Sequence, residues 1–206
     1  MIDFIHSSTE DIAKNLLGKL LIHKTSSCIY SGYIVETEAY LGIDDMACHS
    51  YGGKNTPRLQ SMYKIGGTIY IYTMHTHHML NIVTKGQNDP QAVLIRAIEP
   101  AEGLEQMAAN RKQSGILISN GPGKLTKAMA ITKGLDGRMI NEGALYMDEE
   151  NSKIPNEIMT TPRIGIPNKG DWTLSPLRYY VKGSPFVSGL AKKEVLPTSK
   201  IWKNII

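Results

Sequence analysis

Cysteine is scarce in this sequence, with only Cys28 and Cys48 among 206 residues. Two thiols without C-x-x-C spacing make neither a disulfide framework nor a zinc or redox motif, so reduced and chemically idle thiols are expected. Long hydrophobic runs are also missing. No uninterrupted apolar stretch approaches the roughly 18 residues that a spanning helix needs, which excludes a helical membrane span. The opening Met1-Ile2-Asp3-Phe4-Ile5-His6 has no basic segment followed by an apolar one. No secretory signal is therefore read, and the cytoplasm is the expected compartment, with the nucleoid as the place of action. Nor is there an acidic excess: 23 Lys and Arg against 19 Asp and Glu leave a net charge of +4 and a pI near 8.9. That balance is compatible with a polyanionic partner, because cations that neutralise phosphates release condensed counterions. By itself it identifies none, since many basic proteins never touch nucleic acid.

What is present is a globular composition, 41% hydrophobic and 20% charged, at a length that suits one domain spanning residues 1–206. Ser7-Ser8-Thr9-Glu10 has capping-box spacing ahead of Asp11 to Leu17, and Gly18 supplies a stop, so a short first helix is predicted. Lys19 to Lys24 and Ile29 to Tyr40 read as strands. Gly66-Gly67 leads into Thr68 to Tyr72, and Met79 to Thr84 returns, which predicts a β-hairpin with Thr73 to His78 near its tip. Ala92 to Ile98 is another strand, after which Pro100 is expected to open a helix reaching about Lys112. Lys112 to Asn120 reads as a polar linker. Pro122 is expected to open a further helix through Leu125 and Met129. Ala144 to Met147, Arg163 to Ile166 and Leu177 to Val181 are strand candidates, and the last 20 or so residues look loosely attached. No internal repeat is visible. The intermixed elements predict an α+β fold: a curved, mostly antiparallel sheet with surrounding helices and a protruding hairpin.

Chemistry concentrates in Ile34-Val35-Glu36-Thr37-Glu38-Ala39-Tyr40-Leu41-Gly42. Strand alternation puts Glu36, Glu38 and Tyr40 on one face, so two carboxylates and a phenol project together. A carboxylate fixed on a rigid strand can act as a general base toward water, with His49 nearby for hydrogen bonding. A solvated strand face is the competing reading. Tyr40, His49, Tyr70 and Tyr72 are flat side chains able to sandwich a base, although strand tyrosines also serve ordinary cross-strand packing, the favoured reading for Tyr70. His75-Thr76-His77-His78 invites a metal reading, but no Asp, Glu or Cys stands beside it at ligand spacing, so no metal is assigned. At a hairpin tip these side chains meet solvent or enter a DNA groove. Asn120-Gly121-Pro122-Gly123-Lys124-Leu125-Thr126 fails the phosphate-loop pattern, with Ile at 118 and Leu at 125. What remains is a Gly-rich helix entry where Lys124 either anchors a backbone phosphate or merely accompanies a capped turn.

These stretches, with Val93 to Pro100, Pro162 to Ile166 and Leu177 to Ser188, run along nearly the whole chain in an order that resembles the alkyladenine (3-methyladenine) DNA glycosylase family, the single-domain class of animals and many bacteria. The resemblance implies a monofunctional enzyme without cofactor or metal. Such an enzyme acts, as a monomer, on double-stranded DNA carrying alkylated or deaminated purines such as 3-methyladenine and hypoxanthine. Glu38 then matches the general base that activates water toward the sugar of a flipped-out nucleotide, and Arg96 the group that helps hold that water and the backbone. Tyr40, His49 and Tyr72 match positions that stack on and hydrogen-bond the extruded base, and Asn81 the pocket residue that disfavours guanine. Flipping costs a few kcal/mol, least for damaged or mismatched bases. Many relatives carry Ile-Tyr-Gly-Met-Tyr at the hairpin tip, whose Tyr fills the gap left by the flipped base. Here Met74-His75-Thr76-His77-His78 is one residue shorter. His75 becomes the nearest wedge, with His77 and Lys124 as further expected DNA contacts; an imidazole is a smaller plug than a phenol and one that can ionise near neutral pH.

Overall fold

The computed structural model describes residues 2–204. Along the chain run α1 (Thr9–Asn15), β1 (Leu20–Lys24), β2 (Ile29–Tyr40), β3 (Ile69–Met74), β4 (His77–Thr84), β5 (Gln91–Glu102), α2 (Leu104–Arg111), α3 (Pro122–Ala128), β6 (Leu145–Asp148), β7 (Ile158–Thr161), β8 (Arg178–Val181) and α4 (Thr198–Ile201). The predicted α+β class holds: one curled antiparallel sheet of eight strands in the order β3-β4-β5-β2-β1-β6, extended by β8 and β7, with helices around it. The 12-residue β2 is its spine. Along one side it pairs with β5; along the other it pairs first with β1, over residues 29–33, and then with β8, over residues 36–38. The gap between those partners is bridged by Gly18 and Lys19, which exchange backbone hydrogen bonds with Ile34. Register shifts on either side of Glu36 mark bulges, which bend and twist the strand that carries them.

Strand alternation divides the residues between two faces. Ile69 and Ile71, Leu80 and Ile82, and Val93, Ile95 and Ala97 enter the main core with Ile12, Ala13 and Leu16 of the first helical segment. Their neighbours Tyr70, Val83 and Ala92 gather instead in a second cluster with Cys48, Leu59 and Met62, against which Tyr40 and Tyr72 pack. The period of two that separates the core from the future site is thus present in β3, β4 and β5 alike. The cap of α1 falls one residue later than the spacing predicts: Ser8, not Ser7, accepts the amide of Asp11. Gly18, at φ 84°, follows because any Cβ there would sit 2.0 Å from the carbonyl oxygen of Lys153.

Several sequence expectations are corrected. Pro100 opens no helix; it lies inside β5, opposite Gly32, and α2 begins at Leu104 after Gly103. The last residues of β5 have β2 on one side and no β4 partner on the other, since β4 pairs only with residues 91–94, and such an edge tolerates a residue without an N–H. Arg163 to Ile166 is a turn rather than a strand, with Gly165 at φ 76°, and the strand of that region is β7. The polar linker after α2 contains a 3-10 turn, Gly115–Ile118, whose Ile118 is buried.

Within the expected loose C-terminal stretch, residues 201–203 are docked. Trp202 is 7% exposed, donates its indole N–H to Glu99 and pairs in a bridge with Pro155, while Lys203 bonds back to Ile154. Trp202→Ala should therefore cost about 3 to 5 kcal/mol, the usual range for removing a buried tryptophan, read as a lowered urea midpoint at unchanged slope.

Candidate active site

The face of the sheet opposite the main core carries Glu36, Glu38 and Tyr40 from β2, Tyr70 and Tyr72 from β3, Asn81 from β4 and Leu94 and Arg96 from β5. The predicted convergence of two carboxylates and a phenol is met, and the bland alternative of a solvated face is not: Glu36 and Glu38 are both 0% exposed. Their environments differ. Glu36 Oε1 accepts from Arg96 Nε at 2.9 Å, Arg178 Nε at 2.7 Å and the Ser188 hydroxyl at 2.7 Å, and its Oε2 accepts the Ser188 amide at 2.8 Å. Burial alone would raise its pKa, but the charges of Arg96 and Arg178 outweigh that and hold the carboxyl below the usual range. Glu38 Oε1 accepts the Ile164 amide at 2.8 Å and lies 3.2 Å from Arg96 Nη1, while Oε2 accepts the Tyr40 hydroxyl at 2.9 Å. A carboxylate has about four lone-pair positions. Glu36 takes four donors, three on Oε1 and one on Oε2, and is the anchor of Arg96 and Arg178; Glu38 has Tyr40 as the one hydrogen-bond donor on its Oε2 among the described residues, so that oxygen can accept another.

Above these groups lies a cavity of about 170 Å³ lined by Tyr40, His49, Tyr70, Tyr72, Asn81 and Arg96 among others. A void of about 150 Å³ already takes a benzene ring, so the space suits one planar ring system. Tyr70 and Tyr72 do share a face, 5.8 Å apart, and His49 stands edge-on to both, its ring centre 4.5 Å from that of Tyr72. No third ring fits between His49 and Tyr72 at that spacing, so only their outer faces are left for stacking. Tyr70 is more than packing, since its hydroxyl lies 2.9 Å from His49 Nδ1. Asn81 turns its amide nitrogen to the carbonyls of Tyr70 and Met79, each at 3.1 Å, leaving Oδ1 as the group it can present. Burial, with Glu38 adding to it, pushes the Tyr72 phenol up to about 12, and Tyr40 is raised well above its ordinary value by the same two causes. Both phenols stay protonated donors.

Sequence reasoning missed a second buried pair. Arg163 and Asp45, both 0% exposed in their side chains, meet as a fork: Nη2 donates to Oδ1 at 2.9 Å and Nη1 to Oδ2. The guanidinium carbon lies 4.8 Å from the Tyr40 ring centre, and the next residue, Ile164, supplies the amide on Glu38. Arg178 and Ser188 were missed likewise. For Arg178 the available signal was an arginine inside a strand, which demands a carboxylate partner when buried.

The three expected DNA contacts fall together at one side of the cavity mouth. His75 is exposed at the hairpin tip, and His77 rests on α3, where a Cβ at Gly123 would come 2.7 Å from the His77 Cβ. Lys124 bonds Asn120 at 2.8 Å. Met74 and Pro122, their neighbours, line the cavity itself. Among the described residues, no three His, Cys, Asp or Glu side chains gather as a metal cluster, and no helix is long and apolar enough to cross a membrane.

The geometry is that of a buried, arginine-clamped carboxylate next to an aromatic cavity with room for a flat heterocycle. The family description of methylpurine-DNA glycosylase matches residues 3–185. Proteins of Staphylococcus aureus strains JH9 and Newman, whose provisional name is 3-methyladenine DNA glycosylase, are 53% identical over 201 residues, 98% of this chain and 100% of theirs. The chain belongs to the methylpurine-DNA glycosylase family: it is a DNA glycosylase, a hydrolase of N-glycosyl bonds that serves the repair of alkylated DNA.

His49 generates a pH prediction. Burial first, and the charge of Arg58 second, lower its pKa to about 4. An unfolded chain would protonate this histidine near its ordinary 6.5, so between pH 6.5 and 4 the unfolded state binds more protons and stability falls as the pH falls. NMR should place the His49 midpoint near 4, and His49→Gln should remove that part of the acid dependence of the urea midpoint.

Proposed function

We propose that this glycosylase acts on duplex DNA, accepts a flipped-out 3-methyladenine, hypoxanthine or similar purine in the aromatic cavity, and hydrolyses its bond to the sugar with a water activated by Glu38. The observation that carries the reading is the contrast between two buried glutamates: Glu36 is held between two arginines and Ser188, whereas all three partners of Glu38, namely Arg96, Tyr40 and Ile164, line the cavity. Arg96 holds Glu38 in place and helps orient the water. Glu36 offsets the charge of Arg96, so that the charge of Glu38 can stabilise the cationic sugar that develops as the bond breaks. A base already cationic by alkylation leaves readily and is attracted to the faces of the tyrosines. Tyr40, His49 and Tyr72 stack on and hydrogen-bond the base. Asn81, its amide fixed by two carbonyls, forms a rigid wall that leaves less room for the 2-amino group of guanine. His75 fills the gap in the duplex, and His77 and Lys124 contact the backbone.

With no lysine at the position of the attacking water, the product is an intact strand with an abasic site, released by a monomer without metal. Base release from methylated DNA and from a hypoxanthine duplex, measured with EDTA present, tests this. Glu38→Gln should lower the single-turnover rate about a thousandfold, within the range general-base catalysis contributes, while lesion binding persists. Release that stops on chelation, or that survives the substitution, refutes the mechanism. The smaller imidazole wedge yields a separate expectation: His75→Tyr should tighten binding to a lesion-bearing duplex, and unchanged affinity would remove His75 from that role.

A further inference from the structure

Beside the cavity, across a wall formed by His49 and Cys48, lies an open groove of about 730 Å³ lined by Tyr51, Lys54, Arg58 and Lys169 among others, with no acidic residue in its lining. Its cations are uncommitted. Arg96, Arg163 and Arg178 on the cavity side each sit on a carboxylate, whereas neither ammonium group of Lys54 and Lys169 nor the guanidinium of Arg58 has an ion pair or hydrogen bond among the described residues. Lys54 and Arg58 are exposed, and Tyr51 keeps 39% of its surface free. The groove is close to the reactive end: the charge of Arg58 acts on His49, Tyr70 and Tyr72 alike. It borders the Tyr70 end of the cavity, where Cys48 and Leu59 pack against Tyr70, whereas Met74 and Pro122 line the cavity at the other end of β3, next to the hairpin tip and Lys124.

We propose that this groove is a phosphodiester-binding site, in which Lys54, Arg58 and Lys169 hold the backbone of the strand beside the nucleotide that enters the cavity, on the side away from the hairpin. The proposal rests on the reading of the cavity as the base pocket. Three free cations facing a solvent-open channel without a carboxylate match a repeating anion, and the exposed Tyr51 ring gives a sugar or an unstacked base a flat surface. A base held in the cavity with backbone anchors on only one flank could pivot about that flank. Cations on both flanks fix the sugar over Glu38.

The test is the salt dependence of binding to a duplex with one tetrahydrofuran abasic analogue, which cannot turn over. Each lost phosphate contact should lower the slope of log Kd against log salt by about 0.9. Lys54→Ala with Lys169→Ala should lower it by about 1.8, a weakening of about 60-fold at 0.1 M salt, while Lys54→Arg with Lys169→Arg should keep the wild-type slope. An unchanged slope in the double alanine variant overturns the groove, as does an equal loss in the double arginine variant. Base release by the wild-type protein separates the two readings: its absence refutes the cavity assignment, while an unchanged slope in an enzyme that releases base refutes the groove alone.

Discussion

Two carboxylates with no exposure, two residues apart in the middle of a strand, are the constraint from which the rest of this structure follows. Removing such charges from water costs several kcal/mol each, which only close cations and full hydrogen bonding can offset. Arg96 meets both, reaching from β5 across the longest strand pairing of the sheet. Arg178 meets Glu36 from β8, on the opposite side of β2. The cluster therefore cross-links three adjacent strands, and breaking it by removing one partner leaves an uncompensated charge, typically a loss of about 3 to 5 kcal/mol. Its net contribution to stability is smaller than that figure suggests, since the same desolvation is incurred on folding. What the cluster secures is geometry: Glu38 is fixed from three directions, by Arg96, Ile164 and Tyr40.

The same demand for partners orders two loops. Glu38 still needs donors after Arg96, and takes one from the Ile164 amide and one from Tyr40. Ile164 can stand there because Arg163, the residue before it, is gripped by Asp45 and rests on the ring of Tyr40. Asp45 in turn accepts the amides of Leu41 and Ala47, so the segment leading to His49 is tied to the same pair. Arg96, Tyr40, Ile164 and His49 all line the cavity, and each is traced back to one of three buried acids. Positioning in this enzyme is achieved by electrostatic necessity transmitted through backbone amides, not by close packing alone.

How much of this was legible in the sequence follows from what each feature depends on. Alternation is local, so the shared face of Glu36, Glu38 and Tyr40 and that of Tyr70 and Tyr72 could be read directly, as could the hairpin and the helix beginning at Pro122. The resemblance of the whole chain to known glycosylases then singled out Glu38 from Glu36, which periodicity could not do; the contacts separate them physically, since Glu36 is tied to two arginines and Ser188 while the partners of Glu38 all line the cavity. The pairing of Asp45 with Arg163, 118 residues apart, leaves no local trace. For the same reason Arg163 to Ile166 reads as a strand: its isoleucines fit one, but Asp45 grips the Arg163 side chain and Glu38 accepts the Ile164 amide in place of a neighbouring strand. Pro100 misled because a proline suits the first turn of a helix and the edge of a sheet equally well, and only the sheet topology decides. The docking of Trp202 depended on Glu99, Pro155 and Lys153, none of which is near it in sequence.

The hairpin tip shows where function and local preference diverge. Met74 pairs with His77, so the turn has two residues, His75 and Thr76, both at positive φ, 47° and 71°. Turns of this kind favour Asn-Gly, and a β-branched threonine in the left-handed region stores about 1 to 3 kcal/mol of strain. A strained turn persists only where its surroundings hold it, and here they do: the carbonyl of His78 accepts the Thr126 hydroxyl, and His77 leans on Gly123 where no Cβ could stand. The hairpin and α3 are thereby one unit. Met74 and Pro122 both line the cavity, so the hairpin and α3 meet at its rim. Lengthening the turn would relieve the backbone, but it would also loosen the contacts of His77 and His78 with α3 that hold the tip in place.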